Sequence, residues 1–278
     1  MFDASHPDAR RAVELALEED IGPGDVTTRS TIPEPARAEG RFWARQAMIV
    51  AGIELLPLIY EIRGGVEALD IDVKSGQRVP PGTALALVRG KAWTLLECER
   101  VALNFLQRLS GIATLAGRYA EAVRHTRCRV LDTRKTTPGL RRLEKMAVAA
   151  GGGLNHRMGL YDAVLIKNNH ITAAGGVRAA IERARKTGLP VEIEVRTPEQ
   201  MEEALDAGAD RLLLDNLTPG EAAGWVRAAA GRATTELSGG ITLDSARAYA
   251  ETGADFVSCG AITHSAPAVD INFRISLL

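Results

Sequence analysis

The chain has 278 residues, with 34 Lys and Arg against 35 Asp and Glu and a formal net charge of -1 at pH 7. This length can bury a large core in one or two domains, and the balanced charge argues against a nucleic-acid surface. Apolar runs are too short to span a bilayer, and the N-terminus has neither the basic nor the apolar region of a signal peptide. Three widely spaced cysteines, Cys98, Cys128 and Cys259, predict reduced thiols in a cytoplasmic protein.

The first third of the chain predicts a mixed domain of helices and strands. An amphipathic helix at 7–20 precedes a stretch with strand character at 38–50, a short helix at 52–61, and strands at 68–73 and 84–88. No residue in this part stands out as a candidate for chemistry. We expect it to serve as an N-terminal domain.

A long helix is predicted from residue 92 to about 124, because leucines recur there at helical spacing. Arg100 lies on its polar face. We expect Ser110-Gly111 to break or kink this helix. The domain boundary is placed there, which gives an N-terminal domain at 1–110 and a second domain at 111–265.

Beyond the boundary, strand-like runs alternate with helical patterns, which predicts parallel strands covered by helices. The runs end at Asp132, Lys167, Val195, Asp215, Ser238 and Gly260. The intervening helices are predicted at 140–150, 177–186, 198–207, 219–229 and 243–251. This regularity favours a barrel over an open sheet. In such barrels the residues at the carboxyl ends of the strands form the active site, and the polar residues that stand out here lie at those ends.

A basic cluster occupies residues 131–170, where seven Lys and Arg face three Asp and Glu. Its candidate binding residues are Arg134, Lys135, His156, Arg157 and Lys167. Arg offers a planar fork and Lys a compact charge to carboxylates and phosphates. The cluster therefore predicts a pocket for a small polyanion. The alternative is a solvent-exposed basic surface that binds no ligand. A Schiff-base role for Lys167 also stays open, and 168–170 is expected to form a loop.

Two acidic residues and two glycine-containing loops end the later strands. Glu194 and Asp215 suit a pair of sugar hydroxyls or a Mg²⁺ ion held through water, or else they balance the nearby cations. The loops are Ser238-Gly239-Gly240 and Cys259-Gly260-Ala261. Glycine permits close backbone approach, and the loops after the last two barrel strands often bind phosphate. Cys259 is expected to contribute only its backbone, or to be a small buried residue.

Several segments resemble those of quinolinate phosphoribosyltransferases, in order and spacing, from about residue 10 to the end of the chain. They are Asp20-Ile21-Gly22-Pro23-Gly24-Asp25-Val26-Thr27-Thr28, Glu99-Arg100-Val101-Ala102-Leu103-Asn104, Ser110-Gly111-Ile112-Ala113-Thr114, Asp132-Thr133-Arg134-Lys135-Thr136, Leu165-Ile166-Lys167-Asn168-Asn169-His170 and Gly260-Ala261-Ile262-Thr263-His264.

The resemblance implies an α/β fold, with an N-terminal α/β sandwich and an incomplete α/β (TIM-like) barrel. The tail at 266–278 would pack back on the first domain. It also implies a Mg²⁺-dependent enzyme that joins quinolinate to phosphoribosyl pyrophosphate, giving nicotinate mononucleotide, pyrophosphate and CO₂. The partners would be these two substrates and a second copy of the chain, with no nucleic acid or membrane.

The family's site residues carry over onto this sequence by motif. Arg134, His156, Arg157 and Lys167 would bind quinolinate, with Arg100 supplied in trans by the partner of a homodimer. Thr133 and Lys135 belong to the same motif, and Lys135 would touch quinolinate or pyrophosphate. Glu194 and Asp215 would lie near the ribose and the metal, and the two loops would hold the 5′-phosphate.

Three other functions compete with this one. A molybdenum-associated relative has the same fold and another substrate, but the presence of Arg134, Arg157 and Lys167 argues against it. A non-catalytic nucleotide sensor on the same barrel would show no turnover. A Schiff-base lyase would be trapped by borohydride at Lys167.

Overall fold

The computed structural model of the protein describes residues 2–278. These residues form two compact units that interleave along the chain. The first comprises residues up to Gly117, Thr136–Gly152 and Thr263–Leu278, and the second comprises Arg118–Lys135 and Gly153–Ile262. Within the described residues, no helix combines the length and the apolar character needed to cross a membrane.

In chain order the elements are α1 (Pro7–Ile21), α2 (Val26–Thr31), β1 (Arg37–Ala44), β2 (Met48–Ile49), α3 (Leu55–Ile62), β3 (Ala68–Ile71), β4 (Arg78–Val79), β5 (Ala84–Lys91), α4 (Ala92–Val123), β6 (Arg129–Leu131), α5 (Arg141–Ala150), β7 (Val164–Ile166), α6 (Asn168–Ala174), α7 (Val177–Arg185), β8 (Val191–Val195), α8 (Pro198–Asp206), β9 (Arg211–Asp215), α9 (Pro219–Ala229), β10 (Thr234–Ser238), α10 (Leu243–Ala250), β11 (Phe256–Ser258), α11 (Ala261–His264) and β12 (Ile271–Leu277).

An antiparallel sheet in the order β12-β1-β5-β3 forms the centre of the first unit. The C-terminal strand β12 pairs with β1 along its whole length, from Ala38 opposite Leu277 to Ala44 opposite Ile271. A side chain at Gly40 would collide with the ring of Phe273, which itself lies 4.7 Å from the ring of Phe42. Glycine at this position therefore lets the tail strand pack closely against the sheet.

The expected break of the long helix at Ser110-Gly111 is wrong, since α4 runs unbroken from Ala92 to Val123. Both residues serve packing. The Ser110 hydroxyl accepts the backbone N–H of Ala51 at 3.0 Å. A Cβ at Gly111 would lie 2.1 Å from the carbonyl oxygen of Pro267. Close contact with neighbouring backbone thus explains why Ser110 and Gly111 are small. The sequence pattern alone does not distinguish this role from that of a helix breaker.

The second unit contains six parallel strands in the order β6-β11-β10-β9-β8-β7. Strands β6 and β7 form the two edges. Between them in sequence, Leu154 makes a single parallel bridge to Leu131. The α/β fold with an incomplete barrel is confirmed, because helices alternate with these parallel strands as expected.

The helices after the later strands begin at threonine caps. Thr197, Thr218 and Thr242 each accept a backbone N–H from the first turn of α8, α9 and α10. Proline stands at the first helical position of α8 and α9, where its missing N–H costs nothing. These helices match the predicted positions to within one residue at each end. The loop expected at 168–170 is wrong, because these residues form the first turn of α6.

Candidate active site at the carboxyl edge of the parallel sheet

The carboxyl ends of the six parallel strands define one edge of the sheet, here called the carboxyl edge. Thr133, Arg134 and Lys135 follow β6, and Lys167 follows β7. Glu194 lies one residue before the end of β8, whereas Asp215 and Ser238 end β9 and β10. Cys259 and Gly260 follow β11 directly. The parallel sheet therefore collects all of these predicted residues at one edge.

Arg100 is an exposed residue of α4 in the first unit. The other predicted site residues belong to the second unit.

The register places the two acidic candidates on the same face of the sheet. Glu194 pairs with Leu213, and Asp215 pairs with Ser238. Residues two apart on a strand share a face, so Leu213 and Asp215 point the same way. Glu194, Asp215 and Ser238 consequently project from one side of adjacent strands.

The turn that carries His156 and Arg157 is fixed by a fully buried carboxylate. Asp132 accepts the side-chain amide of Asn155 at 2.6 Å and the backbone N–H of His156 at 2.8 Å. Its own N–H donates to Leu154 at 3.0 Å. Asp132 immediately precedes Thr133-Arg134-Lys135, so one side chain joins the two cationic segments of the predicted pocket.

Arg157 stands out electrostatically. Burial lowers the pKa of Arg157, and the positive charge of Arg134 lowers it further, against the opposing charges of Glu192 and Asp162. One Arg157 Nη donates to the carbonyl of Ala163 at 3.2 Å, but the buried Nε has no hydrogen-bond partner within residues 2–278. A buried donor beside a like charge is the environment that a bound anion would stabilise.

His156 is held from both ring nitrogens by the protein. Its Nδ1 accepts the backbone N–H of Arg157 at 2.7 Å, and its Nε2 lies 3.0 Å from Glu192 and 3.7 Å from Glu236. Arg211 completes the group, with Nη1 3.1 Å from Glu236. His156 therefore sits on an internal network of charges, and its predicted contact with quinolinate stays a prediction.

The network shifts the pKa of two of its members. Burial and the charge of Glu192 raise the pKa of Glu236 to about 7. Burial lowers the pKa of His156, whereas the hydrogen bond to Glu192 and the charges of Glu236 and Glu192 raise it; the Arg157 amide at Nδ1 opposes the second ring proton that such a rise favours.

The ligand atoms of His156, Glu192 and Glu236 lie within 4.8 Å of one another, a spacing that a metal ion would accept. However, the amide bonded to Nδ1 requires the ring proton on Nε2, where it faces Glu192. A metal ion would have to displace this proton. The geometry therefore favours a hydrogen-bonded network over a metal centre.

The glycine loop after β10 is shaped by close contact. Gly239 and Gly240 have φ values of +96° and +62°, which favour glycine. The Cys259 thiol lies 3.1 Å from the carbonyl of Ile241 in the same loop. The backbone N–H of Cys259 donates to Leu131 at 3.1 Å. The Cys259 N–H is thus used within the sheet and its side chain is buried, as the alternative of a small buried residue expected, and a backbone contact with a ligand stays a prediction.

The candidate metal carboxylates differ in their surroundings. Glu194 is buried and receives two hydrogen bonds from Arg196, at 2.7 and 3.0 Å. This contact agrees with the alternative in which Glu194 balances a nearby cation. Asp215 is half-buried and accepts a hydrogen bond from the amide of Asn216 at 2.6 Å. Two carboxylates on one face supply the hard oxygen ligands that Mg²⁺ prefers, so the donor set fits that ion.

Comparison with known families agrees with this geometry. The family model described as "Quinolinate phosphoribosyl transferase, C-terminal domain" matches residues 112–274, and its N-terminal counterpart matches residues 25–110. The chain belongs to the quinolinate phosphoribosyltransferase family.

Members of this family from distant organisms are similar over nearly the whole chain. A probable nicotinate-nucleotide pyrophosphorylase (carboxylating) of Bacillus subtilis is 39% identical over 282 residues, covering 98% of this chain and 95% of the relative. Quinolinate phosphoribosyltransferase (decarboxylating) 1b of Nicotiana tabacum is 39% identical over 295 residues, covering 98% and 84%. The solved nicotinate-nucleotide pyrophosphorylase of Francisella tularensis has a TM-score of 0.93 and 35% identity, covering 98% of each chain.

Three candidate residues escaped the sequence reasoning, namely Glu192, Asn216 and Glu236, and Asp132 was placed at a strand end without a role. Strand alternation could have identified two of them, since Glu192 and Glu236 lie two residues before Glu194 and Ser238 and so share their faces. The roles of Asp132 and Asn216 depend on tertiary contacts, which the periodicity of the sequence does not reveal.

Proposed function

We propose that the protein transfers the phosphoribosyl group of phosphoribosyl pyrophosphate to the ring nitrogen of quinolinate, with loss of CO₂. The products are nicotinate mononucleotide, pyrophosphate and CO₂, and the reaction serves de novo NAD biosynthesis. Membership of the quinolinate phosphoribosyltransferase family supports this assignment. The observation that carries it in the site is Arg157, whose buried Nε has no partner within residues 2–278 while Arg134 repels it.

A dianionic substrate would relieve this electrostatic strain. Quinolinate carries two adjacent carboxylates, which suit two guanidinium groups held close together. In this proposal Arg134, His156, Arg157 and Lys167 surround quinolinate, with Thr133 beside them. Asp132 positions the Asn155–Arg157 turn through its two hydrogen bonds. The binding energy thereby orients the ring nitrogen for attack.

The second substrate would lie across the remaining strand ends. The Ser238-Gly239-Gly240 loop and the Gly260-Ala261 turn would receive the 5′-phosphate, because glycine allows the backbone to approach it closely. Lys135 would face quinolinate or the departing pyrophosphate. Glu194 and Asp215 would lie beside the ribose, where their negative charge stabilises the positive charge that develops at the anomeric carbon.

The proposed cofactor is Mg²⁺, held by Glu194 and Asp215, in part through water. When bound, it would neutralise charge on pyrophosphate. After transfer, the ring nitrogen is positively charged. The bond from the adjacent ring carbon to its carboxylate then breaks, CO₂ leaves, and the electron pair stays on a carbon that takes up a proton.

A product assay tests this function. Protein, Mg²⁺, quinolinate and phosphoribosyl pyrophosphate should give nicotinate mononucleotide and CO₂ in equal amounts. Nicotinate offered in place of quinolinate should react poorly, because it lacks the second carboxylate. The proposal fails if no mononucleotide forms, or if nicotinate is used as efficiently as quinolinate.

The proposal also includes a homodimer in which each subunit lends Arg100 to the other's site. Arg100 is exposed on α4, in the first unit rather than the unit that holds the carboxyl edge. The reaction would take place in the cytoplasm, in keeping with three free cysteines.

Subunit mixing tests the exchange of Arg100. Arg100→Ala and Lys167→Ala should each be nearly inactive alone. Mixed dimers would have one site with both lesions and one with neither, so activity should recover to about a quarter of wild type under random pairing. No recovery after demonstrated subunit exchange would show that Arg100 acts within its own chain or not at all.

A further inference from the structure

Asn216 has a backbone conformation that few side chains adopt. It follows the last residue of β9 and has φ of +59°. Among the non-glycine residues at 2–278, only Ala230 shares a positive φ. Asparagine tolerates this region better than most residues. Such backbone strain persists where surrounding contacts enforce it, often at a functional site.

Two hydrogen bonds enforce the conformation. The Asn216 side-chain amide donates to the Asp215 carboxylate at 2.6 Å, and the Asn216 backbone N–H donates to the carbonyl of Ser238 at 2.9 Å. A single residue therefore contacts both the candidate ribose carboxylate and the start of the candidate phosphate loop.

The same residue also shapes the glycine loop. A Cβ on Gly239 would lie 2.3 Å from the side-chain Oδ1 of Asn216 and 2.7 Å from its backbone nitrogen. The amide of Asn216 thus packs directly on the Gly239 backbone, in space that any other residue at 239 would fill. This close approach is independent of the hydrogen bond to Asp215.

We propose that Asn216 is a positioning residue that sets the spacing between the Asp215 carboxylate and the Ser238–Gly240 loop, and thereby controls the binding of the phosphoribosyl donor. The inference rests on the proposed function, in which that carboxylate and that loop hold the ribose and the 5′-phosphate of one ligand. Because the two parts of the ligand are joined covalently, their binding groups must keep a matching distance. Quinolinate binds to other residues and should be unaffected.

Two substitutions separate the side chain of Asn216 from its backbone. Asn216→Gly keeps the positive φ without strain but removes the amide. Asn216→Asp keeps the shape, replaces the donor with an acceptor, and places a second carboxylate beside Asp215. Ala230→Gly is the matched control, since it relieves the other strained position at the end of α9, outside the site.

Steady-state kinetics with each substrate varied, together with thermal unfolding, test the role. In Asn216→Gly the KM for phosphoribosyl pyrophosphate should rise about 10-fold or more, the effect of losing a hydrogen bond to a charged group. The KM for quinolinate should change less than about two-fold, with no fall in Tm. Asn216→Asp should be impaired further, and Ala230→Gly should keep both KM values.

An unchanged KM for phosphoribosyl pyrophosphate in Asn216→Gly would overturn the inference, as would an equal rise in both KM values. A wild-type protein that makes no mononucleotide would instead overturn the proposed function. The two failures are therefore distinguishable.

Discussion

The two edges of the parallel sheet carry the same kinds of charged residue but use them differently. At the amino edge, where the strands begin, Asp210 accepts the backbone N–H of Val191 and Asp255 accepts that of Thr235, each at 2.8 Å. Arg127 at this edge pairs with Asp255. Arg134 follows β6 at the carboxyl edge, and the Arg157 whose pKa burial and this charge lower keeps a buried donor without a partner within residues 2–278.

The difference separates stability from function. At the amino edge each of these carboxylates satisfies backbone groups of a neighbouring strand, so it contributes to folding. At the carboxyl edge cations repel each other, a cost that the folded chain tolerates and that a bound anion would remove. In α/β barrels generally, residues at the carboxyl ends of the strands form the active site, whereas those at the amino ends contribute to stability.

The largest expected effect comes from removing a cation at the carboxyl edge. Arg134→Ala should weaken quinolinate binding by roughly 2–4 kcal/mol, because it removes one partner of a charge pair that forms in a desolvated pocket. Isothermal titration calorimetry measures the change. Arg127→Ala at the amino edge is the control and should leave quinolinate affinity unaltered, with less than about 1 kcal/mol lost in stability since the Arg127 side chain is exposed. Equal effects of the two substitutions on quinolinate affinity would contradict the claim that only the carboxyl edge binds the substrate.

The second prediction compares the loss of stability at the amino edge with the loss of activity at the carboxyl edge. Asp255→Ala should lower the free energy of unfolding by about 1–3 kcal/mol, because the N–H of the buried Thr235 loses its acceptor. Asp255→Asn keeps an acceptor oxygen and should retain most of the stability. Asp215→Asn, by contrast, should lower kcat without lowering Tm. Urea unfolding and steady-state kinetics provide the two measurements, and a fall in Tm for Asp215→Asn would count against the comparison.

A third effect, which depends on pH, should come from the network of His156, Glu192, Glu236 and Arg211. The pKa of Glu236 is raised from 4.5 to about 7 by burial and by Glu192. The folded protein thus holds a proton that the unfolded chain releases. This stabilisation is fully present below about pH 4.5 and is lost as the pH rises through about 7. His156, Arg211 and Ser258 also face Glu236 and oppose the shift.

Glu236→Gln cannot titrate and should therefore respond less to pH. Between about pH 5 and pH 8 its free energy of unfolding should improve relative to that of the wild type. Urea unfolding of both proteins across this range tests the sign. A difference that stays constant or moves the other way would show that Glu236 titrates normally.

The sequence predicted the arrangement of the second unit well because its signals are local. Strand β8, Val-Glu-Ile-Glu-Val, ends where its apolar pattern ends, and Thr-Pro pairs mark the starts of α8 and α9. Parallel strands then bring their ends together by geometry alone, which placed Lys167, Glu194 and Asp215 at one edge.

The remaining features depend on contacts between residues far apart in sequence. Ser110-Gly111 resembles a helix break, but its small size is explained by the backbone of Ala51 and Pro267. The backbone N–H of Cys259 donates to Leu131 because their strands pair in the sheet. Both ring nitrogens of His156 have partners because Asp132 holds the turn that carries this residue. Periodicity and composition carry no information about these contacts.

The central claim is that repelling cations at the carboxyl edge bind the two carboxylates of quinolinate. Calorimetric titration of wild type, Arg157→Ala and Arg127→Ala with quinolinate and with nicotinate tests it most directly. Wild type and Arg127→Ala should bind quinolinate far more tightly than nicotinate, and Arg157→Ala should lose most of that preference. Equal affinity of the wild type for both ligands, or a preference that survives in Arg157→Ala, would contradict the account.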